Sequence, residues 1–358
     1  MRLGAILSEA WRGLATGTAR ASTLALTLTA LCTGLATLDV LSVVDLERRA
    51  AAYREAGADV VTLVAPGQVD AAGCDALAGS GPVDSAGSIV PADPVRLLAA
   101  PGYEMTTYAA STGFAAVLGV PDPDPMGVWL SDRLAAALEV VPGDVLVTAA
   151  GAVPVAAVFP WPADGRDARL DLAVLVPVAA TVPHDECWVR TSPPLGVTED
   201  VEALVRTAAH VTGAVGDPVQ VAQANRSLGG TFDGAADLAN RPTRFAGAGC
   251  AAVGLLLGLV AVRVRRLEHA GALHAGQTRA ARAAVVLVEA AVWAGVGAAV
   301  SGVVLLVLVG RTGSDAVGDV LLLALRGPAL GAAAAVLGTL AGVVTVREAH
   351  LFRYFKDR

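Results

Sequence analysis

Lysine is almost missing from this chain. Of its 26 basic residues 25 are arginine, and the single lysine, Lys356, stands two residues from the end of the 358-residue sequence. With no lysine further in, there is no G-x-x-x-x-G-K-[ST] loop, which excludes a P-loop nucleotide hydrolase. A Schiff-base enzyme likewise has no amine outside a polar tail. Charge is scarce as well: 16% of residues are charged, against about 25% in soluble domains. With 54% apolar residues and a mean hydropathy of +0.60, this balance excludes a disordered chain and argues against an ordinary cytosolic enzyme. The net charge of −7 leaves no basic face for nucleic acid. Aromatics make up only 4%.

Familiar catalytic signatures are absent too. There is no G-x-S-x-G elbow, no H-E-x-x-H and no S-x-x-K. The run His184-Asp185-Glu186-Cys187 is the best enzymatic candidate, but neighbouring residues of a strand or turn point in different directions. Only His210 adds another histidine to that polar stretch, so a surface turn is expected there and no metal site. No catalytic residue and no directly bound cofactor are expected anywhere in the chain.

What the sequence has is long apolar runs. They cover residues 23–44, 245–262, 283–309 and 328–346, each near or above the roughly 20 residues that carry a helix across a bilayer. A soluble core helix rarely stays apolar on every side for that distance. Asp39 interrupts the first run. Counted from Arg20 it lies about 28 Å along a helix, near the far interface, and is expected as a wetted end residue. Between the first two runs, residues 45–240 hold 10 arginines against 25 acidic residues, a net of −15. The short polar segments have the opposite sign: Arg2, Arg12 and Arg20 at the start, Arg263, Arg265, Arg266, Arg279 and Arg282 in the middle, and Arg353, Lys356 and Arg358 in the tail. By the positive-inside rule these segments are cytoplasmic and the acidic stretch is extracytoplasmic.

The expected fold is therefore a membrane protein: a four-transmembrane α-helical bundle with a large α+β extracytoplasmic domain inserted between spans one and two. Residues 1–20 form a cytoplasmic amphipathic helix, with Leu3, Ile6, Leu7, Ala10, Trp11 and Leu14 on one stripe and Trp11 at headgroup level. Span one is 21–44, the outer domain 45–240, span two 241–264, a cytoplasmic loop 265–282, span three 283–309, an outer loop 310–327, span four 328–346 and a cytoplasmic tail 347–358. A cleaved signal peptide fits less well, because the first run exceeds the usual h-region of about 7–15 residues.

Within the outer domain, helix is expected over 46–56, 70–78, 131–140 (with Ser131 as N-cap) and 198–210, which opens on Thr198-Glu199-Asp200-Val201. Strands are expected over 58–64, 145–149, 153–159, 170–178 and 187–191, and a rigid Pro–Asp loop over 121–125. Cys32 and Cys250 fall in apolar spans as packing residues. Cys74 and Cys187 fall in the outer domain, where a disulfide between them is permitted but not dictated. Asn225-Arg226-Ser227 matches a glycosylation acceptor, a tripeptide common by chance. Gly254 and Gly258, and Gly338 and Gly342, are spaced four apart, as at close helix crossings within or between chains. Beyond Asp39, Glu289 is the one charged residue inside an apolar run, and no series of buried charges marks an ion path.

The row Arg265-Arg266-Leu267-Glu268, then Ala275-Gly276-Gln277-Thr278-Arg279, then Glu289-Ala290 carries a family likeness. With Glu9-Ala10-Trp11-Arg12-Gly13-Leu14 before the first span, and Leu138-Glu139-Val140 leading to Pro142-Gly143-Asp144 in the outer domain, it resembles the MacB/FtsX-like family of ABC transporter permeases. Leu273 stands where that family has an arginine and His269 where it has an apolar residue. The resemblance implies a non-catalytic permease subunit working as a homo- or heterodimer in the cell membrane. Its ATP and Mg would be bound by a separate ABC ATPase subunit. A short coupling helix, about residues 268–279, would seat on that ATPase, with Glu268, Gly276, Thr278 and Arg279 as the coupling residues. The family implies export or extrusion of an outer substrate. The alternative is mechanical signalling that activates an outer partner such as a cell-wall hydrolase.

Overall fold

A computed structural model describes residues 3–98, 102–121, 123–124, 126–209 and 219–346. Arg2, His210, Asp122 and Pro125 of the Pro–Asp loop, and the tail from Arg347 with Lys356, lie outside the described residues. The chain begins with α1 (Leu3–Ala15), α2 (Ala21–Glu55), β1 (Val60–Val69), α3 (Ala71–Asp75), β2 (Val83–Arg96), β3 (Glu104–Ser111) and α4 (Phe114–Val117). It continues through β4 (Val128–Ser131), α5 (Asp132–Leu138), β5 (Val145–Thr148), β6 (Gly151–Phe159), β7 (Val174–Val178), β8 (His184–Thr191), α6 (Glu199–Arg206) and β9 (Gln220–Gln223). It closes with α7 (Gly234–Asn240), α8 (Ala246–Val264), α9 (Arg266–His274), α10 (Arg279–Gly310) and α11 (Val317–Thr345). Two compact units result, one helical, up to residue 47 and from 236 onward, and one built on a sheet, 48–235.

The sheet unit carries nine strands in the order β5-β6-β4-β7-β3-β2-β8-β1-β9. β3 pairs with β7 and β4 with β6 in parallel, and the other ladders are antiparallel. Beyond its ladder, the end of β2 reaches β5: Leu97 bridges Thr148, and Ala149 N donates to Arg96 O at 2.9 Å. Six strands thus curl into a small barrel. Period-two alternation sorts the strand residues between cores. Trp129, Leu175 and Trp188 share one core with Phe114 and Phe159. Their strand neighbours Leu130 and Val174 fill the barrel with Leu97 and Leu146, while Cys187 and Val189 pack with Val61, Leu63 and Val205 in a third core. Ser131 caps α5 as expected, its Oγ accepting from Leu134 N at 3.2 Å.

Cys74, at the end of α3, and Cys187, in β8, are joined by a disulfide with Cα atoms 5.8 Å apart. His184-Asp185-Glu186-Cys187 is no surface turn. It opens β8, where a hydrogen-bonded strand in mid-sheet leaves His184 fully buried.

In the helical unit, Ala21–Glu55, Pro242–Val264, Arg279–Gly310 and Val317–Thr345 are long and apolar enough to cross a membrane. α2 runs on well past the apolar stretch, and α11 is already helical at Val317, eleven residues ahead of the run at 328, with Pro328 inside it. α8 and α11 touch backbone to backbone. A Cβ at Gly254 overlaps the carbonyl oxygen of Gly331, and one at Gly258 overlaps that of Ala335, so the spaced glycines serve a crossing within the chain. Leu28, Cys32, Cys250, Ala290, Trp293 and Ala335 fill the centre of the bundle. Asp39 departs from expectation: it is 7% exposed, not wetted, because Arg241 Nε donates to its Oδ1 at 2.8 Å.

Candidate functional site

The turn between α8 and α10 is built by local chemistry. Arg265, at φ −101° and ψ 15°, breaks α8, and α9 starts one residue on. Gly276 ends α9 at φ +92°, a conformation that costs glycine little. Its N–H donates to Leu273 O and that of Gln277 donates to Ala272 O, both at 3.1 Å, the paired bonds of a Schellman cap. Thr278 then caps α10, its Oγ1 accepting from Ala281 N at 3.3 Å. The coupling segment expected over 268–279 is therefore shorter as a helix. It is α9 to His274, then a turn, and Arg279 already belongs to α10.

Beneath this turn lies a partly buried ion network. Arg265 spans two acids: its Nη1 meets Glu289 Oε2 at 2.6 Å and its Nη2 meets Glu268 Oε1 at 2.7 Å. The Arg265 and Glu289 side chains are 10% and 5% exposed, while Glu268 is half exposed. Arg282 Nη1 lies 3.3 Å from Glu9 Oε1, its Nη2 lies 3.4 Å from Glu268 Oε1, and its Nε donates to His269 Nδ1 at 2.9 Å. Gln277 Nε2 donates to Glu9 Oε2 at 3.2 Å. α1 is thereby tied to α9 and α10, and a Cβ at Gly13 would overlap the Glu289 carboxylate, so α1 lies directly on that acid.

The electrostatics follow from this geometry. Hydrogen bonds from Arg265 hold the Glu268 carboxyl below its usual range despite burial. Burial alone would lower the Arg265 guanidinium, but Glu268 and Glu289 hold it above its ordinary value. His269, 2% exposed, is pushed down to about 3 by burial and then by the charges of Arg282 and Arg265. It is a neutral ring at pH 7, accepting at Nδ1. A free histidine titrates near 6.5, so between about pH 6.5 and 3 the unfolded chain binds a proton that the folded chain refuses. Stability is complete above that window and falls as pH drops through it, by about 1.4 kcal/mol per pH unit. Melting of the detergent-solubilised protein from pH 8 to 4 should show this slope, and His269→Gln should flatten it; an equal slope in both would refute the assignment.

Of the four residues expected to couple, Gly276 and Thr278 shape the turn, while Glu268 and Arg279 leave it exposed to solvent. Arg279 makes no ion pair among the described residues. Arg282 was legible only as charge, and Glu9, Arg265 and Gln277 stood in the rows that carry the family likeness with no role given to them; the further signal that marks Glu9 is that it is the sole acid among the first 20 residues. In the sheet unit, His184 Nδ1 pairs with Ser88 Oγ at 2.8 Å while its Nε2 is buried without a hydrogen-bond partner, and Cys187 is consumed by the disulfide. Asn225, 1% exposed, donates to Ala56 O at 2.9 Å, and its amide is closed to glycosylation.

No family model matches the sequence, and no curated protein matches it. Solved structures similar to parts of it include three extracytoplasmic or permease domains. The periplasmic region of MacB from Actinobacillus actinomycetemcomitans is 13% identical, covering 48% of this chain and 92% of its own, with a TM-score of 0.35. A domain of a putative permease protein from Porphyromonas gingivalis is 19% identical over 46% of this chain and 89% of its own, with a TM-score of 0.33. The extracellular domain of the noncanonic ABC-type transporter YknZ from Gram-positive bacteria is 14% identical over 45% of this chain and 98% of its own, with a TM-score of 0.31.

Proposed function

We propose that this chain is the permease subunit of an ATP-binding cassette transporter of the MacB/FtsX-like type. It would pass ATP-driven movement from a separate ATPase to its sheet unit for export or extrusion of a substrate. The observation that carries the reading is the α9 turn: a short helix presenting Glu268 and, just beyond it, Arg279 to solvent, with Arg265 joining Glu268 to Glu289 inside α10. A force on α9 is thereby delivered to the spans through charge-assisted hydrogen bonds, not through a loose loop. With no P-loop of its own, the chain needs a motor in another subunit. The positive-inside rule supports a cytoplasmic turn, for its arginines, and an outer side for the acidic 45–240 stretch. On this reading two permease protomers act on two ATPases, and ATP and Mg belong to the ATPases.

Co-purification tests it. Solubilised native membranes should yield an ATPase with the tagged wild-type chain, and Glu268→Arg should reduce that yield about tenfold, the scale of one lost charge-assisted contact. Gly295→Ala, on a glycine of α10 with open space around it, should leave the yield unchanged. An unaltered yield for Glu268→Arg would remove α9 as the docking element.

A further inference from the structure

At the opposite end of the bundle from α9, a cavity of about 230 Å³ opens between α2, the start of α8 and α11. Three arginines line it, Arg241, Arg244 and Arg326, against one carboxylate, Asp39. Asp39 is taken by Arg241. Arg244 donates to Ala239 O at 2.7 Å, and its guanidinium lies 4.7 Å from the centre of the Phe245 ring. Arg326 is exposed and makes no ion pair or hydrogen bond among the described residues. The lining therefore carries two positive charges beyond what its own acid neutralises, beside the apolar walls of Phe245 and Leu323.

Depth identifies the chemistry that meets this surplus. Arg20 to Asp39, Arg244 to Arg263 and Arg326 to Thr345 are each 19 residues apart, about 28 Å of helix apiece. A bilayer's hydrocarbon core is about 30 Å thick. Three independent counts thus put the arginines at one interface when the other end of each helix lies at the opposite one. Guanidinium groups match phosphate oxygens in planar, two-point contacts. We propose that this cavity is a binding site for the phosphate of an anionic phospholipid headgroup, held between Arg244 and Arg326, with the acyl chains running down the apolar flank of α11. The inference rests on the membrane embedding of the four helices and not on the ATPase reading.

Ordinary snorkelling of arginine to the headgroup level is the competing account, and Arg311 supplies its control. It is exposed at the C-terminal end of α10 and does not line the cavity. The detergent-purified full chain is titrated with short-chain phosphatidylglycerol, with phosphatidylcholine and with inorganic phosphate, and its melting temperature is followed. Phosphatidylglycerol should give a saturable rise, with the half-saturating concentration raised about tenfold by Arg326→Gln and unmoved by Arg311→Gln. Arg326→Lys keeps the charge but not the planar fork, and should lie between wild type and Arg326→Gln. Equal effects of Arg311→Gln and Arg326→Gln, or no effect of either, would overturn the site. An equal response to phosphatidylcholine would remove its preference for anionic lipid, and an equal response to inorganic phosphate would remove the lipid. Should the wild-type chain prove monodisperse without detergent or lipid, it is the membrane embedding that fails.

Discussion

Gly258→Val should break the pairing of α8 with α11 and leave little monodisperse protein after extraction. The added side chain begins with a Cβ that overlaps the Ala335 carbonyl oxygen, with Thr339 N close behind. Both are backbone atoms of a helix, so no rotamer change relieves the clash. Overpacking in a soluble core costs about 1–3 kcal/mol when neighbouring side chains shift, and here the helices themselves must separate. Separation would also remove the contacts of Gly254 with Gly331 and of Gly338 with Leu255. Between helices in lipid, van der Waals contact of this kind is the main attraction, since lipid tails are as apolar as leucine. Gly295→Val is the matched control, for that glycine has nothing within 4 Å. Size-exclusion profiles and melting temperatures of the two variants make the comparison. A Gly258→Val protein that elutes and melts like wild type would show that the close crossing is not needed.

Arg265→Leu should cost about 3–5 kcal/mol, the usual penalty for leaving one member of a buried ion pair behind. The stranded charge is Glu289, with its side chain 5% exposed and α1 packed over it. Removing both charges in Arg265→Leu/Glu289→Leu should recover most of that loss, since an apolar pair of similar volume is often neutral or better. Denaturant titration of the four proteins of the cycle gives the coupling energy directly. If the proposed function is right, the double variant separates stability from coupling: it folds, yet retains less ATPase than wild type because Glu268 has lost its shorter tether, to Arg265, and keeps only the longer one to Arg282. A double variant as unstable as Arg265→Leu alone would mean that the pair matters through packing and not through charge.

The helical unit was largely legible in the sequence because its signals are long. Runs of some 20 apolar residues admit few alternatives in a bilayer, and the polar segments at 1–20 and 263–282 are short and hold several arginines against one acid each. The start of α11 was hidden by Asp319 and Arg326, which read as loop and yet sit within the helix, and by Pro328, which read as the first residue of the span. In the sheet unit, the expected strands within 58–64, 145–149 and 153–159 are present because valines cluster between turn residues. β2 and β3 escaped notice for opposite reasons. β2 holds Pro91 and Pro94, which demote a strand by rule; Pro91 nonetheless pairs with Tyr108, and Pro94 falls in the irregular stretch between Ala92 and Val95. β3 is Glu-Met-Thr-Thr-Tyr-Ala-Ala-Ser, too polar to mark itself, and it is held by neighbours on both sides.

At the candidate site the turn formers were readable from residue type: a glycine where the chain needs positive φ, and a threonine before a helix. The network under them was not. Glu9 and Arg282 are 273 positions apart in sequence and meet only through the folded bundle. His269 looked like a departure from a family pattern. Its Nδ1 is an acceptor that an apolar residue would lack, and Arg282 uses it.

β2 contributes to every core of the sheet unit: Val83 and Ala86 to one, Ile89 to the second, and Val95, at its far end, to the barrel. Its first half is hydrogen-bonded to β8 and its second half to β3. Detaching β2 would strip hydrogen-bonded neighbours from β8 and β3 together and remove side chains from all three cores. Loss of structure across the described residues of this unit should thus be a single event, and hydrogen exchange should release the slowest amides of β2, β3 and β8 at one common rate.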